Sequence, residues 1–159
     1  MSLSRKAAQV QEALNRFGVS LSVVELPEST RTAQEAANAI GCEVGQIAKS
    51  LVFRRIESDR PVLIIARGDH RVDFEVLAEH LHEEIKIADA DYVRQETGFS
   101  IGGVPPIGHF NKLETYIDED LLAFEQIWAA AGTPHAVFGL TPHQLRVVTQ
   151  GETIPITRG

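Results

Sequence analysis

The segment Gln46-Ile47-Ala48-Lys49-Ser50-Leu51-Val52-Phe53-Arg54, followed after six mostly polar or charged positions by Pro61-Val62-Leu63-Ile64-Ile65-Ala66, decides how this chain must fold. The second half of the first run is rich in β-branched and aromatic residues and reads as a strand. The second run is almost unbroken in its apolar character, the pattern of a strand covered on both faces. Residues 55–60 join the two as a hairpin. Further strands follow each other directly downstream, at 115–117, 127–130 and 136–138, so the sheet is expected to be mixed, with helices packed around it, rather than parallel and doubly wound. The fold class is α+β, a single domain spanning 1–159 with a twisted mixed sheet.

The helices announce themselves by their ends. Residues 4–17 place Ala7, Val10, Leu14 and Phe17 on one face, with Gly18 as a stop. After a strand at 21–26 and a break at 27–31, Thr32 and Glu35 form a capping box for a helix ending at Gly41. Asp73 caps a third helix carrying Val76, Leu77 and Leu81, and a short strand follows at 85–87. Asp89 caps a fourth that ends at Gly98, and Thr141-Pro142-His143-Gln144 opens a last one through Val148.

Between the fourth helix and the strand at 115–117 lies Gly98-Phe99-Ser100-Ile101-Gly102-Gly103-Val104-Pro105-Pro106-Ile107-Gly108-His109. Gly102 and Gly103 can adopt positive φ and admit another molecule close to the peptide groups, while Pro105 and Pro106 stiffen the exit. A stiff loop with bare amides can bind a carbonyl or an anion. The same composition also suits a tight connection between two strands.

Composition narrows the function classes. Twenty-two acidic residues against 15 basic give a net charge of −7, which argues against coating nucleic acid with the whole surface but leaves room for a small basic site. Lys49, Arg54, Arg55, Arg67 and Arg71 cluster near the clearest strands, where a solvated strand rim is the plain reading. The single cysteine, Cys42, cannot form an internal disulfide and has no local base. No apolar run is long enough to span a bilayer or serve as a signal peptide, so the chain is expected to be cytoplasmic.

The usual catalytic signatures are missing. His80 and His82 lie on different helix faces and no recognised ligand spacing occurs, so no metal is expected. There is no Walker A sequence and no dinucleotide spacing in the glycine loop, so no nucleotide cofactor is expected either. Ser50 and Lys49 are neighbours on a strand and point to opposite faces, which disfavours a Ser-Lys nucleophile. Lys49 alone, set among apolar neighbours, buries its stem and carries its ammonium to one place. His109 and His135 lie in two glycine-bearing loops that could meet.

Residues 47–53, the 98–108 loop and Ala130-Ala131-Gly132, in that order, resemble the YbaK/prolyl-tRNA synthetase-associated editing domain family from about residue 32 to 148. The resemblance implies an aminoacyl-tRNA deacylase of the free-standing kind, with Lys49 as functional lysine and Gly102, Gly103 and Val104 as the catalytic loop. Thr30, Ser50, Pro105, Pro106, His109, Gly132, Thr133 and His135 are the implied substrate contacts. The implied partners are the 3′ end of aminoacyl-tRNA and an aminoacyl-tRNA synthetase, with no membrane, no DNA and no cofactor. Two departures bear on substrate choice: residues 27–32 lack a histidine found in some relatives, and Ser50 follows the lysine where others carry threonine or asparagine. Small polar pocket candidates suit alanine, serine or threonine, with cysteine and proline as further options. A non-catalytic module that holds the tRNA end or a synthetase, and an esterase unrelated to tRNA, are the competing readings. The acidic total charge implies few phosphate contacts and a shallow salt dependence.

Overall fold

The 46–66 hairpin forms the middle of an eight-stranded mixed sheet in the computed structural model, which describes residues 3–158. Met1, Ser2 and Gly159 lie outside the described residues, and with them part of the sequence reading of the chain start. In chain order the strands are β1 (Val23–Glu25), β2 (Ile47–Arg55), β3 (Pro61–Arg67), β4 (Ile85–Ile87), β5 (Glu114–Asp118), β6 (Ile127–Ala130), β7 (Ala136–Leu140) and β8 (Glu152–Ile154). The helices are α1 (Arg5–Arg16), α2 (Ala33–Ile40), α3 (Phe74–Leu81), α4 (Ala90–Thr97) and α5 (Pro142–Thr149). Both capping boxes form, and Asp73 and Asp89 cap α3 and α4 as their positions imply.

The sheet order is β1-β7-β6-β2-β3-β5-β8, with β4 attached to β2 off that path. Strands β2 and β3 pair antiparallel from Ala48 opposite Arg67 to Arg54 opposite Pro61. The alternation of β3 then splits the core. Leu63 and Ile65 join α1, α4 and α5 residues such as Leu14, Val93 and Leu145, while Val62, Ile64 and Ala66 pack with Leu77 and Leu81 of α3. Each of the buried Val, Leu and Ile side chains contributes roughly 1.5–3 kcal/mol relative to exposure, which is why the hairpin dominates the fold.

The other edge of β2 is divided. Strand β6 runs parallel to it at Ile47 and Ala48, while β4 pairs antiparallel with Phe53, Arg54 and Arg55. Lys49 to Leu51 therefore have no ladder partner on that side, and the sheet opens there. Four sequence expectations change. The strand at 46–54 is strand along its whole length from Ile47, and the strand at 21–26 contracts to Val23–Glu25. The 98–109 segment joins α4 to β5, a helix-to-strand connection rather than a link between strands. Arg55 is not on a solvated rim: it is 5% exposed, with its guanidinium donating to Glu114, Glu83 and the Leu81 carbonyl.

Candidate active site

Where β4 and β6 diverge from β2, a cavity of about 690 Å³ opens, floored by residues 47–53 and walled by Trp128, Ala129 and Ala130 of β6 and by Ala88 and Val93. Lys49 and Gly102, 53 positions apart in sequence, both line it. So do Thr30, Ser50 and Val104 of the sequence-derived set. No aspartate or glutamate is among its lining residues, whose cations are Arg31, Lys49 and Arg71.

Lys49 is held rather than free. Its Nζ donates to the His70 carbonyl at 2.7 Å, and burial pushes its pKa below the usual lysine value, with Asp69 and Asp118 opposing and Arg71 adding to the shift. The carbonyl it uses belongs to a braced turn. His70 Nδ1 lies 2.9 Å from an oxygen of Asp118, a fully buried carboxylate that also accepts the amides of Arg67 and Asp120. Buried polar groups need such partners, so Asp118 fixes the turn and, through it, the ammonium. Asp118 and Asp120 carry no motif that marks them in the sequence. His70, Asp118 and Asp120 each bring one potential ligand atom within 4.8 Å of the others, but both oxygens of Asp118 are already engaged by the protein.

The glycine loop is built around a turn in which the Gly103 amide donates to the Ser100 carbonyl at 3.0 Å. Gly102 occupies its third position at φ +97°, the left-handed value such a turn requires. The Gly103 amide is thus consumed by the turn, whereas the Gly102 and Val104 amides have no protein acceptor among the described residues. Gly103 serves by close approach: an added Cβ would lie 3.0 Å from the backbone N, Cα and C of Thr133.

That approach locks three loops together. The Gly132 amide donates to the Gly103 carbonyl, and the Thr30 amide donates to the Pro134 carbonyl. His135 Nδ1 lies 2.9 Å from the Glu28 carbonyl, so Gly132, Thr133 and His135 stand behind the cavity, outside its lining. Pro105 and Pro106 are buried and also outside the lining. His109 points away from His135: its Nε2 hydrogen-bonds the Pro105 carbonyl at 2.7 Å, its ring packs edge-on to Phe99, and it borders a second cavity with Pro106 and Phe17. Burial lowers its pKa, which keeps it neutral and makes Nε2 the donor.

Two polar atoms are conspicuous. The hydroxyls of Thr30 and Ser50 are buried without a hydrogen-bond partner among the described residues, and both residues line the cavity. Orphaned hydroxyls at the wall of a cavity suit a ligand that brings the missing partner. Sequence reading named both residues but missed Arg31, whose side-chain methylenes cross Gly102 so closely that an added Cβ there would sit 2.7 Å from Arg31 Cγ.

A sequence model of the aminoacyl-tRNA editing domain matches residues 27–147. A solved structure of a candidate trans-editing enzyme for prolyl tRNA synthetase superposes with a TM-score of 0.93 at 46% identity, covering 99% of this chain and 100% of that one. YwhH of Bacillus subtilis, an uncharacterized protein, is 35% identical over 123 residues, 77% of this chain and 78% of its own length. EbsC of Enterococcus faecalis, named as a candidate Cys-tRNA(Pro)/Cys-tRNA(Cys) deacylase, is 27% identical over 131 residues, 82% of this chain and 79% of that protein. The fold is shared with the solved relative, and the chain belongs to the aminoacyl-tRNA editing domain family.

Proposed function

We propose that the chain is a hydrolase that acts in trans, as one domain spanning residues 1–159, on the ester linking a small amino acid to the terminal ribose of a mischarged tRNA. One observation carries the reading: Lys49 and two loop residues whose amides have no acceptor among the described residues, Gly102 and Val104, line one cavity that no described aspartate or glutamate lines. Its volume of about 690 Å³ falls within the range that accommodates a small ligand such as an aminoacylated nucleoside. The name of the solved relative supports a link to prolyl-tRNA synthetase, and a synthetase is the proposed source of the mischarged tRNA.

The chemistry follows from those groups. Water attacks the acyl carbon, negative charge develops on the carbonyl oxygen, the bond to the ribose oxygen breaks, and that oxygen takes the proton. Main-chain amides aimed at the developing charge lower this barrier without any side-chain base. The Lys49 ammonium, already desolvated, adds a fixed positive charge, and a loop carbonyl or the adjacent ribose hydroxyl orients the water. The products are the free amino acid and intact tRNA.

Thr30 and Ser50 favour a small amino acid whose amino or hydroxyl group supplies their missing hydrogen bonds, hence alanine, serine or threonine, with cysteine of similar size and proline as further candidates. Release of amino acid from tRNAs charged with each of these five tests the reading. Hydrolysis of one or more of the first three is expected. Exclusive action on Cys-tRNA overturns the preference, and tRNA binding without turnover overturns the enzyme.

A further inference from the structure

Six of the eleven arginines of this chain pair with carboxylates, and among the described residues the unpaired Arg5, Arg60 and Arg146 do not line the cavity. Arg16, Arg54, Arg55, Arg67, Arg94 and Arg158 each lie within 4 Å of a carboxylate. Arg31 and Arg71, which line the cavity, are exposed and have no acidic partner among the described residues. In a chain with seven more acidic than basic residues, two arginines without acidic partners at one opening leave their charge available to an anionic ligand.

The backbone that carries each of them is braced. Arg31 leaves a loop pinned by the hydrogen bonds of Thr30 and Glu28 to the 131–135 connection, and its methylenes rest on Gly102. Arg71 follows His70, whose carbonyl holds Lys49 and whose ring is fixed by Asp118. Exposed apolar side chains line the same cavity: Phe74 is 42% exposed, Ile101 50% and Ile87 73%. Arginine among exposed aromatic and aliphatic groups is the arrangement that tracks a single strand, with the guanidinium on phosphate and the base on the apolar surface.

We propose that Arg31 and Arg71 bind phosphates of the single-stranded 3′ end of the tRNA, leaving Lys49 to the ester inside the cavity. The proposal rests on the deacylase reading and deepens it by dividing the three cations between chain and reacting group. It also accounts for a protein of acidic surface engaging RNA through few contacts. Two phosphate contacts on a single strand give a salt slope of about −1.4 in log affinity against log salt, each arginine accounting for about −0.7.

The test compares the wild-type protein with Arg31→Met and Arg71→Met, which keep the aliphatic stem, on an aminoacyl-tRNA and on the corresponding 3′-aminoacyl adenosine, which has no phosphate. Each variant is expected to raise KM for the tRNA about tenfold, as loss of a charge-assisted contact implies, with the loss at least fivefold smaller on the adenosine ester. Arg31→Lys recovers part of the loss. Equilibrium binding of an uncharged RNA hairpin with a single-stranded 3′ end is measured alongside, and each Met variant is expected to flatten its salt slope by about 0.7. Unchanged tRNA KM and slope, or equal losses on both esters, overturn the arginine proposal. If the wild-type protein hydrolyses neither ester, the deacylase reading fails, and the hairpin binding still decides whether these arginines hold RNA.

Discussion

Gly103→Ala isolates the docking of the glycine loop against the 131–135 connection. The new Cβ would meet the backbone N, Cα and C of Thr133 at 3.0 Å, against the 3.5–4.0 Å at which carbon atoms attract. None of these three atoms can rotate away, so the two loops must separate. Overpacking of this kind costs about 1–3 kcal/mol, and loosening the Gly132-to-Gly103 hydrogen bond adds about 0.5–1.5 kcal/mol. The sum, roughly 1.5–4.5 kcal/mol, leaves a domain of this size folded but lowers its Tm by roughly 3–18 °C. Because Gly103 is not in the left-handed region, no dihedral penalty contributes, and the loss reports the contact alone. The separation also shifts Gly102 and Val104 relative to Lys49, and a displacement near 1 Å at a reacting centre costs about a hundredfold in rate. Urea unfolding and single-turnover deacylation read the two effects. A stability change below about 0.5 kcal/mol with unaltered turnover would refute the claim that this contact sets the geometry of the site.

Gly102→Ala meets a different obstacle, since its nearest neighbour is the flexible Arg31 stem but its φ is +97°; removing Arg31 as well relieves the clash, and a residual loss of about 1–2 kcal/mol in chemical denaturation is expected to persist. Lys49→Met is expected to reduce single-turnover deacylation about a hundredfold or more without lowering Tm, because a buried ammonium whose pKa is depressed is not a source of stability. In the wild-type protein, activity that needs this ammonium falls as pH rises through its lowered pKa. Over the window between that pKa and the usual lysine value, stability rises with pH, since the unfolded chain retains the proton that the folded one has lost; a pH titration of rate and of unfolding free energy checks both signs. Arg55→Met strands Glu83 and Glu114 beside an apolar side chain and is expected to cost roughly 2–4 kcal/mol in urea unfolding, discounted for the partial exposure of Glu114, with turnover of the folded protein kept within about twofold.

Local chemistry made much of this fold legible. The hairpin, both capping boxes and the glycine turn are decided by residues within a few positions of each other, so spacing alone locates them. What escaped depended on distant partners. That Lys49 faces an opening follows from β4 and β6 taking different ends of β2, and their residues lie more than 30 and 70 positions away. Arg55 looked like a surface charge because Glu83 and Glu114, which allow its burial, come from other elements. Strand β8 has three residues, too few for any alternation to register. Among candidate site residues, Lys49, Gly102, Val104, Thr30 and Ser50 come together at the cavity, while Gly103, Gly132, Thr133 and His135 form the layer that holds the loops. Pro105, Pro106 and His109 lie on the far side of that loop, where His109 fixes the Pro105 carbonyl. Arg31 carries no motif, and its place in the cavity lining and its closeness to Gly102 reveal it.

Single-turnover mixing of excess protein with tRNA charged with alanine, serine or threonine, following the free amino acid and the integrity of the tRNA, addresses the central claim most directly. Stoichiometric release of the amino acid by the wild-type protein with intact tRNA is expected, and release slowed about a hundredfold or more in Lys49→Met. Saturable binding with no release, or equal rates for the two proteins, would contradict it.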